Sequence, residues 1–325
     1  MTDQHQINKQ RILDLYTAAD AATHHSITEV INQHHHSKLT WHGPQPINDL
    51  NGSQALIEQV WQPLKRSFPD LKRTVDILLA GDYSGQNRVS ASGYFTGTFQ
   101  QDWLGLKATG QQTHIRFGEV MTINNGQITE AWFLLDMLDV MRQGGLDLTP
   151  YSICTEAVHL PTLHGNGVVL TPSPPSETEK TLLLVEAMLF GLIRADRPMH
   201  AYWDANMTWN APAGIGTAQS LDEFENTVLK AFRTGLGESW NGSHNARYAD
   251  GKFAVSTGWP SLIATHTGTF LGIPASGHTL NWRIMDFWER EGNRIRLNWV
   301  HIDMLDVFQQ MGVDMVQAYN AQHPS

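Results

Sequence analysis

The chain has 325 residues, a formal net charge of −10 and an isoelectric point near 5.8. Phosphate backbones repel a surface of that sign, so nucleic-acid binding is not expected. The one cysteine, Cys154, excludes an internal disulfide and a cysteine-based zinc site. No apolar run is long enough to cross a bilayer and the N-terminus has no signal-peptide core, so we expect no membrane association and a soluble, cytoplasmic protein.

The first half of the chain begins with two predicted helices and continues with strands. Apolar residues recur at helical spacing in two stretches, Ile12, Leu15, Tyr16 and Ala19, and later Leu56, Val60, Leu64 and Phe68. Runs of β-strand type follow, and the pair Asn125-Gly126 between two of them predicts a hairpin. Helices followed by a long antiparallel sheet indicate an α+β fold rather than a parallel βαβ fold.

The second half repeats this order. Its helical spacings are Leu183, Ala187, Phe190 and Ile193, then Phe224, Val228 and Phe232. Three blocks also match between the halves: Leu39–Pro44 with Met207–Pro212, Thr96–Phe99 with Thr267–Phe270, and Ile128–Val140 with Ile295–Val307. The last pair carries the letters DMLDV in both copies. Chance matches would not keep one order, so the sequence predicts a tandem duplication.

A segment rich in Pro, Gly, Ser and Thr separates the copies at residues 149–179. Prolines there remove backbone donors and disfavour helix, which predicts a linker. We therefore expect one domain over residues 1–148 and a second over residues 180–325.

The matched blocks resemble the SnoaL-like polyketide cyclase family, also called ester cyclases, of the nuclear transport factor 2-like superfamily. The resemblance is carried by the Thr-Trp-(His/Asn)-x-Pro turn at Trp41 and Trp209, by the block Gly268–Trp288, and by the strand that ends in Asp136 or Asp303. Phe68–Leu71 also matches the family, whereas copy two departs from it at that place.

The resemblance implies two tandem cone-shaped domains of the nuclear transport factor 2-like (cystatin-like) type, each a bent antiparallel sheet packed on helices around a hydrophobic cavity. Family members normally pair as homodimers, so the two copies are expected to pair within the chain. The implied partner is a small hydrophobic carbonyl compound. The implied activity is an aldol-type cyclisation or a related isomerisation or hydrolysis, without metal or organic cofactor.

The resemblance also implies acid/base catalysis by Asp303 and Asp136. Alternation along the last strand puts Trp299, His301 and Asp303 on one face in copy two, and Trp132 and Asp136 on that face in copy one. A carboxylate beside an indole is poorly solvated, which raises its pKa and suits proton transfer at carbon. Either aspartate could instead cap the following helix. His301 could share a proton with Asp303 or be a core histidine.

The remaining candidate residues are proposed substrate contacts. These are Trp41, His42, Trp209 and Asn210 at the turns, and His114, Arg116, Asn281 and Arg283 on an equivalent strand of each copy. The arginines could bind a substrate oxygen or form structural ion pairs. Glu119 and Asp286 lie on the opposite strand face from the arginines and could be pocket or interface groups.

Two further interpretations concern metal binding and catalysis. The run His34–His36 is not expected to chelate a metal, because adjacent side chains point in different directions. A non-catalytic small-molecule-binding protein of the same fold is the alternative to an enzyme, with one or both cavities inactive.

Overall fold

The computed structural model describes residues 3–156, 159–194 and 198–322. The chain forms two compact units. Unit 1 comprises Met1–Leu146, Val168–Pro172 and Asp314–Ser325, and unit 2 comprises Asp147–Gly167 and Ser173–Val313. Each unit therefore contains one copy of the repeat, together with two short segments from elsewhere in the chain in unit 1 and one in unit 2.

Unit 1 has the predicted order of helices followed by strands. Its elements are α1 Asp3–Ala21, α2 Ile27–His34, β1 His35–His42, β2 Leu50–Asn51, α3 Ser53–Leu56, a π-helical turn Ile57–Trp61, α4 Gln62–Ser67, β3 Lys72–Tyr83, β4 Gln86–Thr98, β5 Gln112–Asn124, β6 Gln127–Leu135 and α5 Met137–Gln143. The face predicted for α1 is buried, since Ile12, Leu15, Tyr16 and Ala19 are each at most 4% exposed.

The sheet of unit 1 runs in the order β2-β1-β6-β5-β4-β3. Its neighbours are antiparallel except for β1 and β6, which pair in parallel, a pairing that strand patterning did not predict. The predicted hairpin joins β5 to β6, and Asn125 and Gly126 both have positive φ, 49° and 81°. Asparagine and glycine tolerate this left-handed backbone, which explains why this pair makes the turn.

Unit 2 repeats the arrangement. Its elements are α6 Pro175–Arg194, β7 Trp203–Asn210, β8 Thr217–Ala218, α7 Leu221–Glu223, a π-helical turn Phe224–Leu229, α8 Lys230–Leu236, β9 Asn241–Gly242, β10 Ala246–Asp250, β11 Phe253–Thr265, β12 Thr279–Glu291, β13 Arg294–Ile302 and α9 Met304–Gln310. The sheet order is β10-β11-β12-β13-β7-β8, with β9 also paired to β11. The two sheets thus share one topology around the central hairpins.

Helix α6 differs from the sequence-based expectation in the face that it buries. It begins at Pro175, where the first turn tolerates a missing backbone donor. Leu183 and Phe190, predicted on the buried face, are 58% and 55% exposed, and Val185 and Met188 are buried instead. The side chain of Ile193 lies outside the described residues. Several apolar stripes compete on this helix, and packing on the sheet selects among them.

The segment that follows the last helix of each copy belongs to the other unit: residues 147–167 to unit 2 and residues 314–325 to unit 1. Helix α10, Met315–Ala321, belongs to unit 1, where the Tyr319 hydroxyl donates to the carbonyl of Lys107 at 2.9 Å. A Cβ atom on Gly144 would lie 2.5 Å from the Tyr319 hydroxyl oxygen, so this ring needs a glycine there. In unit 2, Tyr151 packs edge-on against Phe308, with ring centroids 5.5 Å apart.

We expect Tyr319→Ala to destabilise unit 1 locally by about 3 kcal/mol, because a buried aromatic side chain is lost. Hydrogen exchange should then accelerate in α5 and stay unchanged in α9. Tyr151→Ala is the matched control, and it should accelerate exchange in α9 alone, by less because Tyr151 is half-buried. Equal protection of α5 in the wild type and Tyr319→Ala would contradict the role given to α10.

Candidate functional site

Unit 2 contains a cavity of about 160 Å³ between its helices and one face of its sheet. Helix α6, the π-helical turn and α8 supply one side, and strands β7, β11, β12 and β13 supply the other. The residues that line this unit 2 cavity include Met188, Leu192, Trp203, Trp209, Phe224, Val228, Phe232, Trp240, Ser261, Asp286, Trp288, Asn298, Val300 and Ile302. The lining is therefore mainly aromatic and aliphatic, with few polar side chains.

Strand alternation determines which sheet residues face the cavity. Asp286 pairs with Val300 and Trp288 pairs with Asn298, and all four line the cavity. Because residues two apart share a face, the even-numbered residues 284–288 of β12 and 298–302 of β13 point to the cavity. Phe287 and its neighbours of odd number point to the other face.

Among the described residues that line the cavity, Asp286 is the one carboxylate, and Asn298 is its hydrogen-bonding neighbour. The Asn298 side-chain amide donates to Asp286 Oδ1 at 3.3 Å and to the carbonyl of Phe287 at 2.9 Å. Desolvation in this enclosure raises the pKa of Asp286 to about 7, although the Asn298 hydrogen bond and the Arg247 charge act to lower it. The accessible part of the carboxyl faces the cavity. Near neutral pH the group is therefore present in both protonation states.

Aromatic rings form much of the remaining wall. The Phe224 ring lies 5.4 Å from Trp209 and 6.2 Å from Trp203, measured between centroids. On the far side, Phe232 meets Trp240 edge-on at 6.5 Å, and the Trp240 indole N–H donates to the carbonyl of Gly237 at 2.8 Å. Flat faces and edges of this kind favour a planar apolar ligand.

Unit 1 has a cluster of interacting side chains at the equivalent strand position. Glu119, which aligns with Asp286, accepts a hydrogen bond from the Tyr16 hydroxyl at 2.8 Å. The Arg73 guanidinium lies 3.6 Å from the centre of the Tyr16 ring and 4.6 Å from that of Phe95. Burial raises the pKa of Glu119, and the Arg73 charge and the Tyr16 hydrogen bond oppose this. Where unit 2 has Asp286 beside a cavity, unit 1 has this polar cluster around Glu119.

The structure places Asp136 and Asp303 at the N-termini of α5 and α9. Their side chains accept from the backbone N–H of Asp139 at 3.1 Å and of Asp306 at 3.3 Å, respectively. Asp303 also accepts from Arg283 Nη1 at 3.0 Å. These are helix caps with a structural ion pair, one of the alternatives left open by the sequence. Their acid/base role stays a prediction.

Three other predicted residues do not line the unit 2 cavity. His301 and Trp299 lie on the opposite face of β13, and Trp132 lies in unit 1. His301 is buried against Phe287, with centroids 5.9 Å apart, and Trp299 donates its indole N–H to the carbonyl of Leu160 at 2.8 Å. Both alternate with Asn298 on β13 and so face away from the unit 2 cavity. Trp132 in unit 1 stacks on His42 at 5.1 Å.

The remaining predicted contacts divide by strand. His114 and Asn281 are exposed. The backbone N–H and C=O of each bond to the side-chain amide of a glutamine in the following helix, Gln143 or Gln310. Arg116 is buried, and its carbonyl accepts from the backbone N–H of Asp136 at 3.0 Å.

The predicted turn residues make different contacts. Trp41 packs on Phe133, with centroids 5.9 Å apart. The ring nitrogens of His42 lie 3.3 Å from carboxylate oxygens of Asp49 and Glu130. Burial lowers the pKa of His42, but its contacts with these two carboxylates outweigh burial and raise it. Asn210 donates to the Thr217 hydroxyl at 3.0 Å. Trp209 is the predicted contact that lines the unit 2 cavity.

The cavity residues that the sequence did not single out include Asn298, Trp203, Trp240 and Trp288. Strand alternation places Asp286 on the face opposite to the arginines, but it does not decide whether that face borders a pocket or an interface. The signal that could have found Asn298 is its even spacing from Val300 on a strand that pairs with β12. Trp240 comes from a loop for which no periodicity exists.

Neither a metal site nor a membrane span is found in the described part of the chain. Residues 3–156, 159–194 and 198–322 hold no group of three or more His, Cys, Asp and Glu side chains placed to bind a metal ion. No helix among them is both long and apolar enough to cross a bilayer.

Solved structures that resemble the chain each cover one copy. They include IdmH, a putative polyketide cyclase from Streptomyces antibioticus (21% identity, 42% of this chain, 98% of that chain, TM-score 0.36), and AclR, a putative hydroxylase from Streptomyces galilaeus (20%, 43%, 97%, 0.37). A putative SnoaL-like polyketide cyclase from Jannaschia sp. CCS1 is 20% identical over 41% of this chain and 88% of its own, with a TM-score of 0.35. A search of curated proteins gave no match.

The family comparison covers both halves. The model of the SnoaL-like polyketide cyclase matches residues 13–144 and again residues 195–311. This confirms the duplication and the α+β, nuclear transport factor 2-like fold expected from the sequence. The chain belongs to the SnoaL-like polyketide cyclase family and carries two tandem copies of its domain.

Proposed function

We propose that the unit 2 cavity binds a small hydrophobic carbonyl compound and that Asp286 is the acid/base group for an aldol-type cyclisation of it. The observation that carries the proposal is a carboxyl group with a pKa of about 7 in an apolar, ring-lined cavity. A general acid/base works best when its pKa lies near the operating pH, because both of its forms are then available. The family's cyclase members support the reaction class.

The chemistry follows from the two protonation states. The ionised Asp286 takes a proton from the carbon beside a substrate carbonyl, and the resulting carbanion attacks a second carbonyl carbon. The protonated Asp286 then returns the proton to the new alkoxide. The Asn298 amide fixes the carboxyl position, because it also bonds to the backbone of the neighbouring strand.

The alternative function is small-molecule binding without turnover. In both cases the cluster of Tyr16, Arg73 and Glu119 fills the equivalent place in unit 1. We therefore propose one ligand site per chain rather than two, which titration calorimetry measures directly as stoichiometry.

Asp286→Asn tests the acid/base role. Asparagine keeps the shape and cannot accept the proton, so turnover of diketones should fall at least about 100-fold while ligand affinity changes little. The measurement is a steady-state assay of cyclised product across a panel of diketones, with affinity from quenching of tryptophan fluorescence.

Asp303→Asn is the matched control for that experiment. It removes charge from a buried carboxyl that caps α9 and pairs with Arg283, so we expect loss of stability with kcat largely retained in folded protein. Turnover that survives in Asp286→Asn and disappears in folded Asp303→Asn would return the acid/base role to Asp303. Binding without turnover of every diketone would favour the non-catalytic alternative.

The raised pKa of Asp286 also predicts a pH dependence of stability. Between the ordinary aspartate pKa, about 4, and the folded value, about 7, the folded state keeps a proton that the unfolded state has lost. The free energy of unfolding should therefore fall as pH rises through this window, by up to about 1.4 kcal/mol per pH unit. Denaturant unfolding of the wild type and Asp286→Asn at several pH values measures the difference, and parallel curves would contradict the assignment.

A further inference from the structure

We infer that the substrate of the unit 2 cavity is a short, uncharged, open-chain dicarbonyl compound that closes to a single six-membered ring, and not a compound of several fused rings. The reaction class rests on the proposed function. The size and the charge of the substrate rest on the volume and lining of the cavity.

The cavity volume sets the size. At about 160 Å³ the unit 2 cavity is close to the roughly 150 Å³ of an apolar protein cavity that holds one benzene molecule. Pockets for drug-sized ligands are larger, on the order of 300–1,000 Å³. A single ring with a small substituent fits this volume, and a second fused ring would extend beyond it toward the side of the cavity that is open to solvent.

The walls of the cavity resist expansion. Trp288 is 1% exposed and lies on the sheet, and Trp203 and Trp209 both pack on Phe224. Close-packed side chains of this kind do not yield volume without a shift of their neighbours. Trp240 is half-buried, and its indole N–H donates to the carbonyl of Gly237, so this ring forms a fixed part of the half-buried wall.

The lining sets the charge. Among the described residues, those that line the unit 2 cavity include no Lys, Arg or His, and their side-chain polar groups belong to Asp286, Asn298, Ser261 and the indoles of four tryptophans. An anionic substrate would meet the Asp286 carboxylate without a neutralising cation in the lining, which costs several kcal/mol in an apolar site. An uncharged dicarbonyl compound avoids this cost.

The step is balanced within the site. The Asp286 carboxylate removes one proton from a carbon beside the first carbonyl, and the electron pair of that C–H bond forms the new C–C bond to the second carbonyl carbon. The oxygen of the second carbonyl takes the proton back from Asp286. The product is a β-hydroxy ketone with the atoms of the substrate, so no co-reactant is needed.

Three diketones with the same reacting carbons test the size limit. They are 2,6-heptanedione, 1-phenylhexane-1,5-dione and 1-(2-naphthyl)hexane-1,5-dione, which all close to a six-membered ring and differ in one substituent. We expect kcat/KM for the naphthyl compound to be at least about 100-fold below that for heptanedione. An equal or higher value for the naphthyl compound, lost in Asp286→Asn, would overturn the size limit and leave the proposed function intact.

Trp240→Ala tests where the limit lies. Removal of this indole should raise kcat/KM for the naphthyl compound relative to heptanedione at least about tenfold. Leu183→Ala is the control, because this side chain is 58% exposed on α6 and is not part of the lining, and it should leave the ratio unchanged. An unchanged ratio in folded Trp240→Ala would contradict the role given to this wall.

Binding of unreactive ketones separates the size inference from catalysis. Acetophenone should quench tryptophan fluorescence with at least tenfold higher affinity than 2-acetonaphthone. That order without turnover of any dione would support the size limit and refute the proposed catalysis. Absence of acetophenone binding, or tighter binding of the naphthone, would overturn the size limit.

Discussion

The enclosure of the Asp286 carboxyl is the constraint on which the site depends. Desolvation raises its pKa to about 7. The hydrogen bond from Asn298 and the charge of Arg247 both lower the pKa, but by less than desolvation raises it. A tighter ion pair would hold the group ionised at all working pH values, and full exposure would do the same. The apolar rings around the carboxyl therefore provide the cavity and set its acidity at the same time.

The two copies treat an acid at one strand position in opposite ways. Unit 1 surrounds Glu119 with the Tyr16 hydroxyl and the Arg73 guanidinium, whose π contacts and charge stabilise a closed core. Unit 2 surrounds Asp286 with aliphatic and indole groups and retains a cavity. Duplication allows this division, because one copy can keep an accessible site while the other copy contributes a stable folded unit.

The sequence predicts the duplication, the order of helices and strands, and the Asn125-Gly126 hairpin, because each depends on local spacing or on matched blocks. The resemblance implies that the face of Trp299, His301 and Asp303 borders the cavity, whereas the unit 2 cavity is lined by Asn298 and Val300. Alternation groups Trp299 with His301 and, separately, Asn298 with Val300, but the choice between the two groups depends on where the helices pack. Helix α6 shows the same limit, since Leu183 and Phe190 have helical spacing and yet are exposed.

The repeated DMLDV motif has a structural explanation in both copies. Its first aspartate, Asp136 or Asp303, caps the following helix, and its backbone N–H donates to the carbonyl of Arg116 or Arg283 on the neighbouring strand. These bonds attach a short helix to a sheet, a requirement that both copies share whatever they bind. The residues that we propose for the chemistry are instead those in which the copies differ around an aligned acid. Comparison within a duplicated chain thus separates the two kinds of residue: identity between copies marks the fold, and difference at an aligned acid marks the site.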